Sequence, residues 1–288
     1  MQFPLKSIPR VPCLLIVFSL LVSCKMGLHT MSDRQIEKHY KNRHIKPVMK
    51  YLSYKDYHIL HAVVGDTSKP LLLFIHGSPG AWYSYMKMMD DPDLLANYRM
   101  IAVDRIGFDK SNYGVAMTSI DEHVNYLEKL IAEYNITGQK VFVMGSSYGG
   151  PIAASFAAHN PELVQELFLL SPVIDPASEK IFWFSYMARF SFINMWLHQS
   201  LNVASKEKFT HKRELRRLKP LWKDIRCKTT VVMGKNDWMA SSKNLAFAQK
   251  MLTNANGADF YLLDNTGHVI LYHNPELVKK LLLHQDTR

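Results

Sequence analysis

From about residue 51 onward, short apolar runs alternate with segments of helical periodicity. Tyr57–Val64 (YHILHAVV) alternates like a strand and ends at the turn Gly65-Asp66. Residues 71–76 (LLLFIH) and 100–104 (MIAVD) are continuous apolar runs closed by Gly77-Ser78-Pro79-Gly80 and Arg105-Ile106-Gly107. The runs 141–144 (VFVM), 167–170 (LFLL), 230–233 (TVVM) and 260–263 (FYLL) repeat the pattern. Between them, Ile120–Tyr134 places Val124, Leu127, Leu130 and Ile131 at helical spacing, and 151–159, 241–252 and 275–283 also read as helices. Pro151 and Pro275 suit first helical turns, where no backbone donor is missed, and Asn160-Pro161 is a stop. Strands this apolar, separated this regularly by helices, predict a mostly parallel twisted sheet with helices on both faces, an α/β fold.

One stretch breaks the alternation. Residues 173–222 hold no convincing strand; their first part is dense in aromatics (Phe182, Trp183, Phe184, Tyr186, Phe190, Phe192, Trp196) and their second in basic residues between Lys206 and Lys219. At about 50 residues this is too long for a plain loop and predicts a helical insertion over the sheet. Its aromatics fit an apolar pocket or the insertion's own packing; its basic run reads as a solvated helix face or, beside a lipid anchor, as a contact for anionic headgroups or an anionic substrate. No acidic pair stands out there to hold a substrate amine.

The N-terminus has a different character. Lys6 and Arg10 precede an uncharged run, residues 11–24 (VPCLLIVFSLLVSC), too short for the roughly 20 residues of a spanning helix and shaped like a signal-peptide core. Leu21-Val22-Ser23-Cys24 resembles a bacterial lipoprotein box. That resemblance implies cleavage after residue 23 and lipid on Cys24, hence an anchored chain in the cell envelope; Lys25 directly after the cysteine favours the outer membrane. The expected organisation is a signal peptide over 1–23, a basic tether over 24–50, and an α/β domain over 51–288 with its cap insertion at about 173–222. Cys227 is then the only cysteine left besides Cys24, and it reads as a small buried filler. The net charge of +10 favours anionic surfaces without naming a partner. Neither a phosphate-cradling loop nor a nucleic-acid motif is present, and no residue cluster suggests a metal or another cofactor.

Gly145-Ser146-Ser147-Tyr148-Gly149 carries the chemistry. A strand runs into it and a helix runs out, the setting of a nucleophile elbow, in which the positions two before and two after the serine must lack bulk. A serine hydroxyl needs a base within hydrogen-bond reach, and histidine is the side chain suited to that near neutrality.

With His76-Gly77-Ser78-Pro79-Gly80, Asp104-Arg105-Ile106-Gly107-Phe108, this elbow and Gly267-His268, the chain from about Tyr51 on resembles the α/β-hydrolase family. The resemblance implies Ser147 as nucleophile and His268 as base. It places the acid after the strand that ends at Gly234, at Asp237, with Asp175 and Asp264 as alternatives. It puts the oxyanion-hole amides on Ser78 and Tyr148, with His76 as the fixed element of the turn. Relatives often carry glycine where Asp109 stands, which bears on that turn. A serine in the elbow argues against the dehalogenases and epoxide hydrolases of this fold, which use aspartate there. The expected substrate is a small carboxylic ester with an apolar acyl or aromatic group. A proline-iminopeptidase-like peptidase, a thioesterase, a carbon–carbon hydrolase and a non-catalytic envelope binding protein remain as alternatives.

Overall fold

The computed structural model describes residues 30–135, 138–181, 185–186 and 198–286. The expected signal peptide, Cys24, and the cap aromatics Phe182, Trp183, Phe184, Phe190, Phe192 and Trp196 lie outside the described residues.

Eight strands form one sheet in the order β1-β2-β4-β3-β5-β6-β7-β8. They are β1 Val48–Tyr54, β2 Tyr57–Val64, β3 Leu71–Ile75, β4 Arg99–Val103, β5 Val141–Ser146, β6 Val164–Leu170, β7 Lys228–Gly234 and β8 Ala258–Leu263. The pairs β1–β2 and β2–β4 are antiparallel and the remaining pairs parallel. Register sets the site: Ile75 lies opposite Gly145, Ser146 opposite Leu170, and Gly234 opposite Leu263. The loops leaving β3, β5, β7 and β8 therefore emerge side by side at the carboxyl edge, where open α/β sheets bind ligands.

Successive strand residues feed opposite cores, as the pleat demands. Leu71, Leu73 and Ile75 pack with Val143, Leu167 and the helices Ile120–Tyr134 and Gly149–His159. Leu72 and Phe74 pack on the other face with Met144, Phe168, Trp82 and the helix Pro275–Leu282. Cys227 is buried and unbridged, its thiol pushed up to about 11 by burial, so it is packing rather than chemistry.

The stretch expected to be a tether, 24–50, is instead partly built into the domain. A helix, Asp33–Tyr40, opens with a Ser32–Gln35 capping box and buries Tyr40 among Leu60, Leu72 and Met100. The edge strand β1 then begins at Val48. Only Leu52 of β1 is buried, so the strand lacks the apolar run that marks the others.

His61, His76 and His123 are buried against the sheet and its flanking helices. Burial lowers His61 to about 4 and holds His76 and His123 well below the usual histidine value. A depressed folded pKa contributes stability that is present above the unfolded pKa and lost as pH falls toward the folded one. Taking the chain from pH 7.5 to 5.0 is expected to cost about 2 kcal/mol through His61 alone. Urea unfolding at the two pH values measures this; equal unfolding free energies would contradict it.

Candidate active site

The strand β5 is apolar and β-branched up to Met144, then turns sharply into the helix Gly149–His159. Ser147 sits in the turn at φ 51°, the left-handed region, a conformation that costs a non-glycine residue about 1–3 kcal/mol. Two glycines make the turn feasible. A Cβ at Gly145 would lie 2.4 Å from the Gly149 carbonyl oxygen, and one at Gly149 would lie 2.2 Å from that of Ile75. The Ser147 amide donates to Leu170 O at 2.9 Å, tying the elbow to β6 and presenting Oγ at the sheet edge.

Ser147 Oγ is 2.9 Å from His268 Nε2, and His268 Nδ1 is 2.7 Å from Asp237 Oδ2. The Asp237 carboxylate only accepts, so Nδ1 carries the proton and Nε2 is left to accept from the serine hydroxyl. The Asp237 side chain is fully buried, and its Oδ1 accepts from the Met239 and Ala240 amides at 2.9 and 2.8 Å, fixing the carboxylate in its own loop. The three predicted side chains thus meet, although Ser147 and His268 are 121 positions apart. The alternative acids are engaged elsewhere. Asp175 caps its own turn through the Ala177 amide, and exposed Asp264 pairs with Lys235.

The His-Gly turn lies against the elbow. A Cβ on Gly77 would come within 3.0 Å of Ser147 Cβ. Among the described residues, neither the Ser78 nor the Tyr148 amide has a hydrogen-bond acceptor, and the Ser78 hydroxyl is buried without a partner. His76 is locked as a neutral ring: its Nδ1 donates to Gly77 O at 2.7 Å and its Nε2 accepts from the Arg105 amide at 2.9 Å.

Arg105 holds this turn from behind, which the sequence reading did not anticipate. Its side chain, fully buried, donates from Nε to His76 O at 3.0 Å and from Nη2 to Gly77 O at 2.9 Å. Nη1 meets Glu207 Oε1 at 2.5 Å, and Glu207, also fully buried, belongs to the cap helix Gln199–Leu218. The guanidinium also lies over the rings of Phe108 and Tyr148, at 4.7 and 4.8 Å.

The cap helix exposes Lys206, Arg213, Arg216 and Arg217, as expected of a solvated basic face. Its opposite face is polar as well. Glu207, His211 and Glu214 point inward and are buried. His211 stacks on Tyr148 at 4.6 Å and bonds Glu179, which Lys208 also neutralises; Glu179 is thereby held below the usual carboxylate range despite burial. The inward face was invisible in the sequence because charged residues stand on both sides of the helix.

A cavity of about 320 Å³ opens onto Ser147 and His268. Its wall includes Tyr83, Tyr113 and Tyr272, the apolar Met31, Leu170 and Ile270, and Asp109. Asp109 has φ 42°, which explains why glycine suits that turn, and it abuts the buried Asp104, whose carboxyl burial raises well above the usual range. Among the described residues no group of three His, Cys, Asp or Glu side chains is placed to hold a metal ion.

This sheet order with its elbow and carboxyl-edge cavity is the α/β-hydrolase fold, and residues 70–190 match the family model of that fold. Epoxide hydrolase 1 of Caenorhabditis elegans is 32% identical over 120 residues, covering 41% of this chain and 29% of that protein. The proline iminopeptidase of Lactobacillus helveticus is 27% identical over 130 residues, covering 44% and 43%. The matched region thus spans less than half the length of these curated relatives. Among solved structures, Cfl2 of Burkholderia cenocepacia superposes with a TM-score of 0.69 at 16% identity, over 84% of this chain and 97% of that one.

Proposed function

We propose that this chain is a lipid-anchored serine hydrolase of the bacterial envelope that cleaves a carboxylic ester with an apolar acyl or aromatic group. The observation that carries the reading is the continuous hydrogen-bonded relay from Ser147 through His268 to Asp237. His268 takes the hydroxyl proton as Ser147 Oγ attacks the ester carbonyl, and Asp237 stabilises the imidazolium without taking that proton. The amides of Ser78 and Tyr148 receive the developing oxyanion; one such donor is worth about 10²–10³ in turnover. The tetrahedral intermediate collapses to an acyl-enzyme as His268 protonates the leaving alkoxide. His268 then deprotonates water, whose attack releases the acid and restores Ser147.

The chain differs from an aspartate-dependent epoxide hydrolase at the position that matters, since Ser147 occupies the elbow. The peptidase reading draws support from the proline iminopeptidase match, and thioester or carbon–carbon cleavage would use the same relay. A panel of p-nitrophenyl esters, aminoacyl arylamides, acyl thioesters and styrene oxide separates these. An ester preference of at least about 10²-fold in kcat/KM is expected. A preference for arylamides would overturn the ester assignment in favour of a peptidase.

A further inference from the structure

Thr30 and Met31, the first described residues, line the same cavity as Ser147 and His268. The chain therefore arrives from its N-terminal apolar run at the mouth of the candidate site. Only residues 25–29 separate Cys24 from Thr30. At no more than 3.3–3.6 Å per residue, Cys24 lies within about 20 Å of the cavity wall, whatever path the chain takes. A domain of this size has a radius of gyration of about 18 Å and is therefore more than about 36 Å across, so such a leash cannot span it.

The surface around the mouth matches what that leash brings near. Tyr113 and Tyr272 line the cavity yet are 44% and 42% exposed. Trp238, 57% exposed, directly precedes the cavity-lining Met239. Tyrosine and tryptophan favour the boundary between water and lipid, where the ring meets apolar chains and the polar atom stays wet. The segment that follows Met31 is basic: residues 32–50 hold six Lys and Arg against two acidic residues, and Arg34, Lys38 and Lys41 are exposed. Such clusters are drawn to anionic headgroups.

We infer that the mouth of the cavity, where Tyr113 and Tyr272 are exposed and Trp238 stands next to the lining Met239, docks on a bilayer containing anionic lipid, and that the substrate is an acyl ester that partitions into that bilayer. The ester then enters from the membrane side, its acyl chain passing between apolar surfaces. The inference rests on the anchor reading of Cys24. A short leash becomes a specificity device, because it holds the entrance toward lipid and away from bulk water.

The test uses the full chain on vesicles of phosphatidylethanolamine and phosphatidylglycerol. Trp238→Cys, next to the cavity-lining Met239, and Thr67→Cys, in the exposed loop before β3 at the opposite sheet edge, each carry an environment-sensitive fluorophore; the buried Cys227 is shielded from labelling. A blue shift at position 238 and none at 67 is expected. Equal responses, an unshifted probe at 238 on sedimenting vesicles, or failure to sediment would overturn the inference. In a second arm, a Gly-Ser spacer of about 30 residues between Met26 and Gly27 should cut turnover of a vesicle-embedded ester at least about five-fold and leave a water-soluble p-nitrophenyl ester unaffected. Unchanged turnover of the embedded ester would also overturn it. Loss of all ester turnover in the parent chain would instead sink the hydrolase reading, with the fluorescence arm still deciding the docking.

Discussion

Ser147→Ala is expected to lower turnover of a p-nitrophenyl ester by at least about 10⁴-fold, with no loss of folded protein. The size follows from role: without Oγ no acyl-enzyme forms, and only the oxyanion donors and binding remain to assist water. The fold should tolerate the change. The Ser147 hydroxyl is held by His268, whereas the elbow is held by the backbone bond to Leu170 O and by the close approaches at Gly145 and Gly149. His268→Ala should fall within about ten-fold of the same loss, because nucleophile and base act as a unit. Steady-state kinetics with circular dichroism on the same samples measures both, and full activity of Ser147→Ala would remove the mechanism.

The second large effect is expected at Arg105. Its charge is buried, and its partners are the cap carboxylate Glu207 and two carbonyls of the turn carrying the Ser78 amide. Arg105→Ala strands Glu207 in the interior, removes the donor to His76 O and leaves Gly77 O with only the His76 Nδ1 donor, a loss of about 3–5 kcal/mol. A charge-free double variant, Arg105→Met with Glu207→Leu, should recover much of that stability, since burying an ion pair gains little over packing apolar groups. It should not recover kcat, because the His76 carbonyl still lacks its donor, Gly77 O keeps only that of His76 Nδ1, and the Ser78 turn loses its register against Ser147. Urea unfolding and kcat measured on the single and double variants test this. Recovery of kcat together with stability would show that Arg105 only holds the cap down and does not position the turn.

These two cases mark what the sequence revealed and what it did not. The inner parallel strands were legible because burial on both faces makes them continuous apolar runs, and the elbow because its glycines answer a steric demand within five residues. Ser147 follows from that local chemistry, whereas the family resemblance picked out His268 as the base and Asp237 among the acids. Strand β1 was not legible, since an edge strand that buries only Leu52 leaves no periodic trace. The helix Asp33–Tyr40 was hidden for the same reason: its polar, basic sequence buries a single residue, Tyr40. Glu207 was missed on different grounds. Its burial depends on a guanidinium 102 residues away, and nothing in the local helical pattern distinguishes it from the exposed charges beside it.

The most direct measurement is reaction of the full chain with a fluorophosphonate, followed by peptide mass spectrometry. An activated Ser147 predicts one phosphonyl group per chain, located on that residue and lost in His268→Ala. Absence of labelling, or a label on any other residue, would contradict it.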